Sequence, residues 1–118
     1  MNELISHFIA SCLPISGLAA YSIHLPTQML EVQCLSKSLY PSSTQEMMTR
    51  VVQGGRALLP CGESPAQYCW TFEAHRVYVA SRPDGFSLAL LVENNPKTQA
   101  VRIKETLQGF LDLVEQPS

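Results

Sequence analysis

"YCWTFEAHRVYVASRPDGFSLALLVENNP", residues 68–96, decides the fold. From Gln67 to Phe72, Tyr68, Trp70 and Phe72 alternate with Gln67, Cys69 and Thr71, the period-2 pattern of a strand with one aromatic and one mixed face. "RVYVASR" (76–82) reads as its antiparallel neighbour. "PDG" at 83–85 is a turn in which Pro fixes the first central φ and Gly supplies a left-handed position. "FSLALLVE" (86–93) is apolar on both alternating faces from Leu88 to Val92, so it is expected to be a central strand covered on both sides. Helices must therefore lie on both faces of the sheet.

Working outward, "ENNPKTQAVRIKETLQGFLDLVEQ" (93–116) reads as the closing helix. Asn95 is its expected N-cap, Pro96 lies in its first turn, and Ile103, Leu107, Phe110, Leu111 and Val114 form the buried stripe. Upstream, "YPSSTQEMMTRVVQGGRALLPCG" (40–62) is a helix. Ser43 and Glu46 fit a capping box, and Pro60 and Gly62 end the helix. Met47, Val51, Gly54 and Leu58 form one apolar stripe, with Met48, Val52, Gly55 and Leu59 beside it. A glycine costs about 1 kcal/mol relative to Ala inside a helix. The pair Gly54–Gly55 therefore needs a reason: a close approach to the chain's own sheet, or to another helix, including the same helix of a second copy. A phosphate loop is excluded, since "QGGRALL" lacks both the lysine and the preceding strand.

At the start of the chain, Leu4, Ile5, Phe8, Ile9, Cys12 and Leu13 recur at helical spacing and stop before Pro14. "GLAAYSIH" (17–24) and "EVQCLS" (31–36) then read as an antiparallel pair joined across "LPTQML", a connection without the Asn-Gly or Asp-Gly of a tight hairpin. The expected order is αββαβββα in one domain spanning residues 1–118.

Composition narrows the function classes. Charged residues make up 15% of the 118, well below the ~25% usual for soluble domains. A surface so short of charge is expected to be partly covered by another chain. The net charge of −2, with eight Lys and Arg scattered singly, provides no stripe to neutralise nucleic-acid phosphates or anionic lipid. No apolar run approaches the ~18 residues of a membrane span. The first charge is Glu3 and no Lys or Arg precedes the apolar start, so the beginning reads as a helix rather than a signal peptide and the protein as cytoplasmic.

No catalytic constellation emerges. Cys12, Cys34, Cys61 and Cys69 lie far apart with no C-x-x-C pair and read as reduced, mostly packed thiols. His7, His24 and His75 fall in different elements, and His24 at a strand end and His75 at a turn read as solvated imidazoles. Asp84 belongs to its turn. No cofactor, metal or catalytic residue is expected. What stands out is the strand carrying Trp70. As the first strand of a meander whose last strand is central, it tends to the sheet edge, and between Gln67 and Phe72 no Lys or Pro guards it.

The apolar helix at 43–59, the meander of residues 62–96 and the amphipathic "TQAVRIKETLQGFLDL" together resemble the roadblock family, also called the dynein light chain roadblock family. The resemblance implies a profilin-like α+β fold with a five-stranded antiparallel sheet, the first and third helices on one face and the second on the other. It also implies a homodimer formed by edge-to-edge pairing of the third strand with the second helices side by side. Here the corresponding interface residues are Val51, Gly54, Gly55, Leu58, Tyr68, Cys69, Trp70, Thr71 and Phe72. Family members are non-enzymatic scaffolds or regulators, many acting with small Ras-like GTPases, and the resemblance implies such a protein partner. The outward residues Thr49, Arg50, Gln53 and Arg56 of the second helix form the expected partner-binding platform. Two other classes fit a small acidic chain: a secretion-chaperone-like dimer holding a client, and a small-ligand sensor with a pocket under the second helix.

Overall fold

In a computed structural model, residues 2–58, 66–95 and 98–114 are described, the side chains of residues 2, 56–58 and 66 excepted. The elements are α1 (Asn2–Cys12), β1 (Leu18–Leu25), β2 (Gln28–Cys34), α2 (Pro41–Leu58), β3 (Ala66–Thr71), β4 (His75–Ser81), β5 (Ser87–Glu93) and α3 (Ala100–Asp112). The strands form one antiparallel sheet in the order β2-β1-β5-β4-β3. As its doubly apolar sequence requires, β5 occupies the centre, with Leu88 to Val92 buried. β3 is an edge.

Because side chains alternate across a sheet, two cores form. On one face, Ile5 and Ile9 of α1 and Ile103, Leu107 and Phe110 of α3 pack on Tyr21, Ile23, Leu88 and Leu90. On the other, Met48, Val51 and Val52 of α2 pack on Val77, Val79, Ala89 and Leu91. This is the α+β arrangement expected, with α1 and α3 opposite α2.

Five local expectations are corrected. The first hairpin is tight: Leu25 pairs with Gln28, leaving only Pro26 and Thr27 between the strands, and a bulge between Ile23 and His24 absorbs the register shift. Met29 and Leu30 thus belong to β2, where half-burial suits their apolar side chains. The capping box is not made, because α2 begins at Pro41, placing Ser43 and Glu46 inside the helix. Pro is well suited to a first helical position, and the Thr44 amide bonds the Tyr40 carbonyl at 3.0 Å. α3 begins at Ala100 rather than at Asn95. The Asn95 side chain instead bonds Glu93, Thr98 Oγ1 donates to the Glu93 carbonyl, and Gln99 Oε1 accepts the Ser16 amide. Val114 lies beyond α3 and is exposed rather than part of the buried stripe. Finally, His24 is not solvated: it is 2% exposed, with Nε2 lying 2.6 Å from Ser22 Oγ. The helix-ending Pro60 and Gly62, together with Leu59, Cys61 and Pro96, lie outside the described residues.

Candidate functional site

The site is built where α2 crosses the edge of the sheet. Phe72 donates its amide to the His75 carbonyl at 2.8 Å. In an antiparallel ladder such pairs alternate, so within β3 the residues sharing the parity of Phe72, namely Tyr68 and Trp70, bond β4. The amides and carbonyls of Gln67, Cys69 and Thr71 therefore point away from the sheet, along an open edge. Their side chains are exposed. The strand Ala66–Thr71 contains no charged residue and no proline, so neither of these two guards against edge pairing lies on the strand itself. The opposite edge, β2, carries Glu31, which accepts a hydrogen bond from Ser6 of α1 at 2.8 Å.

Tyr68 and Trp70 turn their rings under α2, and this settles the glycine pair. A Cβ on Gly55 would fall closer than 3.0 Å to the Tyr68 ring, whereas one on Gly54 would meet Trp70 at an ordinary 3.7 Å. Gly55 therefore serves the chain's own sheet. The Tyr68 hydroxyl donates to the Val52 carbonyl at 3.3 Å, pinning the ring against the helix.

Of the two apolar stripes on α2, Met48, Val52 and Gly55 face the sheet and are buried. The other stripe flanks the edge. Met47 and Val51, with Trp70 and Phe72, line an open cleft of about 430 Å³ between α2 and β3, and Ser43, Glu46 and Arg50 form its polar margin. Among the nine residues expected at a dimer interface, Val51 and Gly55 are thus mostly consumed by the chain's own core, Gly54, Tyr68 and Trp70 are half-buried, and Cys69, Thr71 and Phe72 are exposed. Phe72 leaves 40% of its surface open. The Leu58 side chain lies outside the described residues. Cys69 is accordingly not a packed thiol, while Cys12 and Cys34 are half-buried.

Of the four platform residues, Thr49, Arg50 and Gln53 have described side chains. Arg50 and Gln53 are exposed, Thr49 is half-buried, and the Arg56 side chain is outside the described residues. Thr49 Oγ1 donates to the Gln45 carbonyl one turn back. Arg50 is ion-paired to Glu46, an i,i+4 arrangement that the sequence spacing already contained but that the capping-box reading assigned elsewhere. The pair is exposed and engages one nitrogen of the guanidinium, so the remaining N–H donors stay open to a partner. Among the described residues no group of three or more His, Cys, Asp or Glu could hold a metal, and no helix is long and apolar enough to cross a membrane.

No family model matches the chain, and no curated protein matches it in sequence. Solved structures are similar in fold. Myxococcus xanthus MglB matches with a TM-score of 0.59 at 12% identity, covering 92% of each chain. A Roadblock/LC7 domain from Streptomyces avermitilis matches with a TM-score of 0.54 at 13% identity, again covering 92% of each chain. The chain has a roadblock-type fold.

Proposed function

We propose that this chain is a non-enzymatic, cytoplasmic scaffold or regulatory subunit that dimerises through the β3 edge and captures a protein partner on α2, a small Ras-like GTPase being the partner class the fold suggests. The observation carrying this reading is the open, uncharged edge of β3 beside an apolar cleft. Two copies related by a two-fold axis satisfy the outward groups of Gln67, Cys69 and Thr71 most fully when Cys69 opposes Cys69 of the second copy and Gln67 opposes its Thr71. The α2 helices then run side by side, closing the cleft over Trp70 and Phe72 and withdrawing a patch of aromatic surface from water. This accounts for the low surface charge.

With the seam closed, the exposed backs of the two α2 helices form one surface on which Thr49, Arg50, Gln53 and Arg56 are repeated. Arginine suits carboxylates on a partner because its planar fork binds them bidentately. Sedimentation at micromolar concentration tests the dimer. A mass near twice 13.1 kDa is expected, and a monomer under those conditions contradicts the reading.

A further inference from the structure

The end of the sheet remote from that edge carries a second cleft, of about 320 Å³, between α2 and the β1–β2 hairpin. Its walls bring together Gln45, Thr49 and Gln53 from α2 with Gln28 and Met29 from the hairpin, and the buried His24 reaches it from the sheet. The three α2 residues recur at i, i+4 and i+8, so they stand in a row along one side of the slot. His24 is 2% exposed, and Ser22 Oγ holds its Nε2 at 2.6 Å, which fixes the plane of the ring. An imidazole buried and oriented in this way, yet bordering a cleft, is more elaborate than filling space requires. Beside it on this face stand the buried Ser22 and, across to β5, the buried Ser87, so a small polar group borders the cleft before the face turns apolar at Ala20 and Ala89.

We infer that this cleft is a binding site for a small uncharged planar heterocycle with mixed donor and acceptor edges, of the nucleobase or nicotinamide kind. Four observations select that class. The volume lies near the lower end of the ~300–1,000 Å³ range of ligand pockets, so the occupant is small. A slot between a helix and a hairpin admits a flat molecule more readily than a round one. Each carboxamide offers an acceptor oxygen and two N–H donors in one plane, the pattern with which Gln pairs bidentately to a base edge. The described side chains lining the slot include no Lys, Arg, Asp or Glu, so they provide no counter-charge for a phosphate. The inference is independent of the β3 edge, although Thr49 and Gln53 belong to both the slot and the proposed platform. A bound heterocycle would therefore sit beside the partner surface.

The test is a titration of ¹⁵N-labelled full-length protein with adenosine, guanosine, cytidine, uridine and nicotinamide separately, following the side-chain amides of Gln28, Gln45 and Gln53. At least one probe should give saturable shifts at these amides with a Kd on the order of 1 mM or tighter. Gln45→Leu combined with Gln53→Leu, both at exposed positions, should weaken binding about tenfold or more with the backbone spectrum retained. Gln28→Leu approaches the same slot from its other wall and should weaken binding as well. No saturable shift with any of the five probes, saturable shifts confined to another surface, undiminished binding by either variant, or tighter binding of a nucleoside monophosphate than of its nucleoside would each overturn the assignment.

Discussion

Replacing Gly55 by Ala isolates the contact that shapes the site. By helix propensity alone the substitution should stabilise the protein by about 1 kcal/mol. The new Cβ, however, would fall closer than 3.0 Å to the Tyr68 ring, which cannot swing aside freely because its hydroxyl bonds the Val52 carbonyl and its backbone is paired to Val79. Overpacking of this kind costs about 1–3 kcal/mol, and loss of the hydrogen bond adds about 1 kcal/mol, which offsets the propensity gain. The net effect is a destabilisation of about 1–3 kcal/mol, a fall in Tm of roughly 4–12 °C for a domain of this size. Gly54→Ala is the matched control, because its Cβ would lie 3.7 Å from Trp70 and the propensity gain of up to about 1 kcal/mol should survive. Urea unfolding of both variants against the parent measures the difference. Equal stability of the two variants, or a Gly55→Ala protein as stable as the parent, would refute the claim that Gly55 exists to admit Tyr68.

Other outcomes follow from the same geometry. Cys69→Lys should shift the sedimenting species toward monomer, since it places two ammonium groups at the centre of a closed seam; an unchanged dimer would move the seam elsewhere. Arg50→Glu with Arg56→Glu should slow partner association and flatten its salt dependence. It should lower stability by no more than about 1 kcal/mol as far as the exposed Glu46–Arg50 pair is concerned, since an attractive i,i+4 pair becomes a repulsive one, and undiminished capture would exclude the platform. Burial foremost, and the Glu31 carboxylate second, raise the Tyr21 phenol above its ordinary value of 10.0. A raised folded-state value means that the neutral phenol's contribution is complete below pH ~10 and is lost as pH rises through the folded value. Tyr21→Phe should therefore soften the alkaline fall in stability, read by denaturant unfolding across that range, and an identical pH profile would count against the burial of Tyr21.

The architecture was legible because its signals are redundant. "FSLALLVE" is apolar on both faces and allowed no position but the centre, which in turn required helices on both sides. Errors arose where one local cue had a competitor. Ser43 and Glu46 satisfied a capping pattern, but Pro41 started the helix nearly a full turn earlier and released Glu46 to Arg50. Asn95 looked like a cap, yet the crossover from β5 needed the residues before Ala100 to bond Glu93 and the α1–β1 loop. His24 gave no sign of burial, because its partner Ser22 lies two residues back on the same strand face and its cover comes from α2, far along the chain. The edge character of β3 followed from the meander, whereas the distinction between Gly54 and Gly55 could not: it depends on which of two adjacent helix positions lies over an aromatic ring.

Amide hydrogen exchange along β3 tests the central claim most directly. In a self-paired edge the outward amides of Gln67, Cys69 and Thr71 are hydrogen-bonded to a second copy, so all three should be protected, and that protection should fall together on dilution or in the Cys69→Lys protein while Tyr68 and Trp70, bonded to β4, stay protected. If Gln67, Cys69 and Thr71 exchange as fast as free amides at concentrations where the inward-bonded neighbours remain protected, the β3 edge is not the seam and the dimer proposed through it does not form.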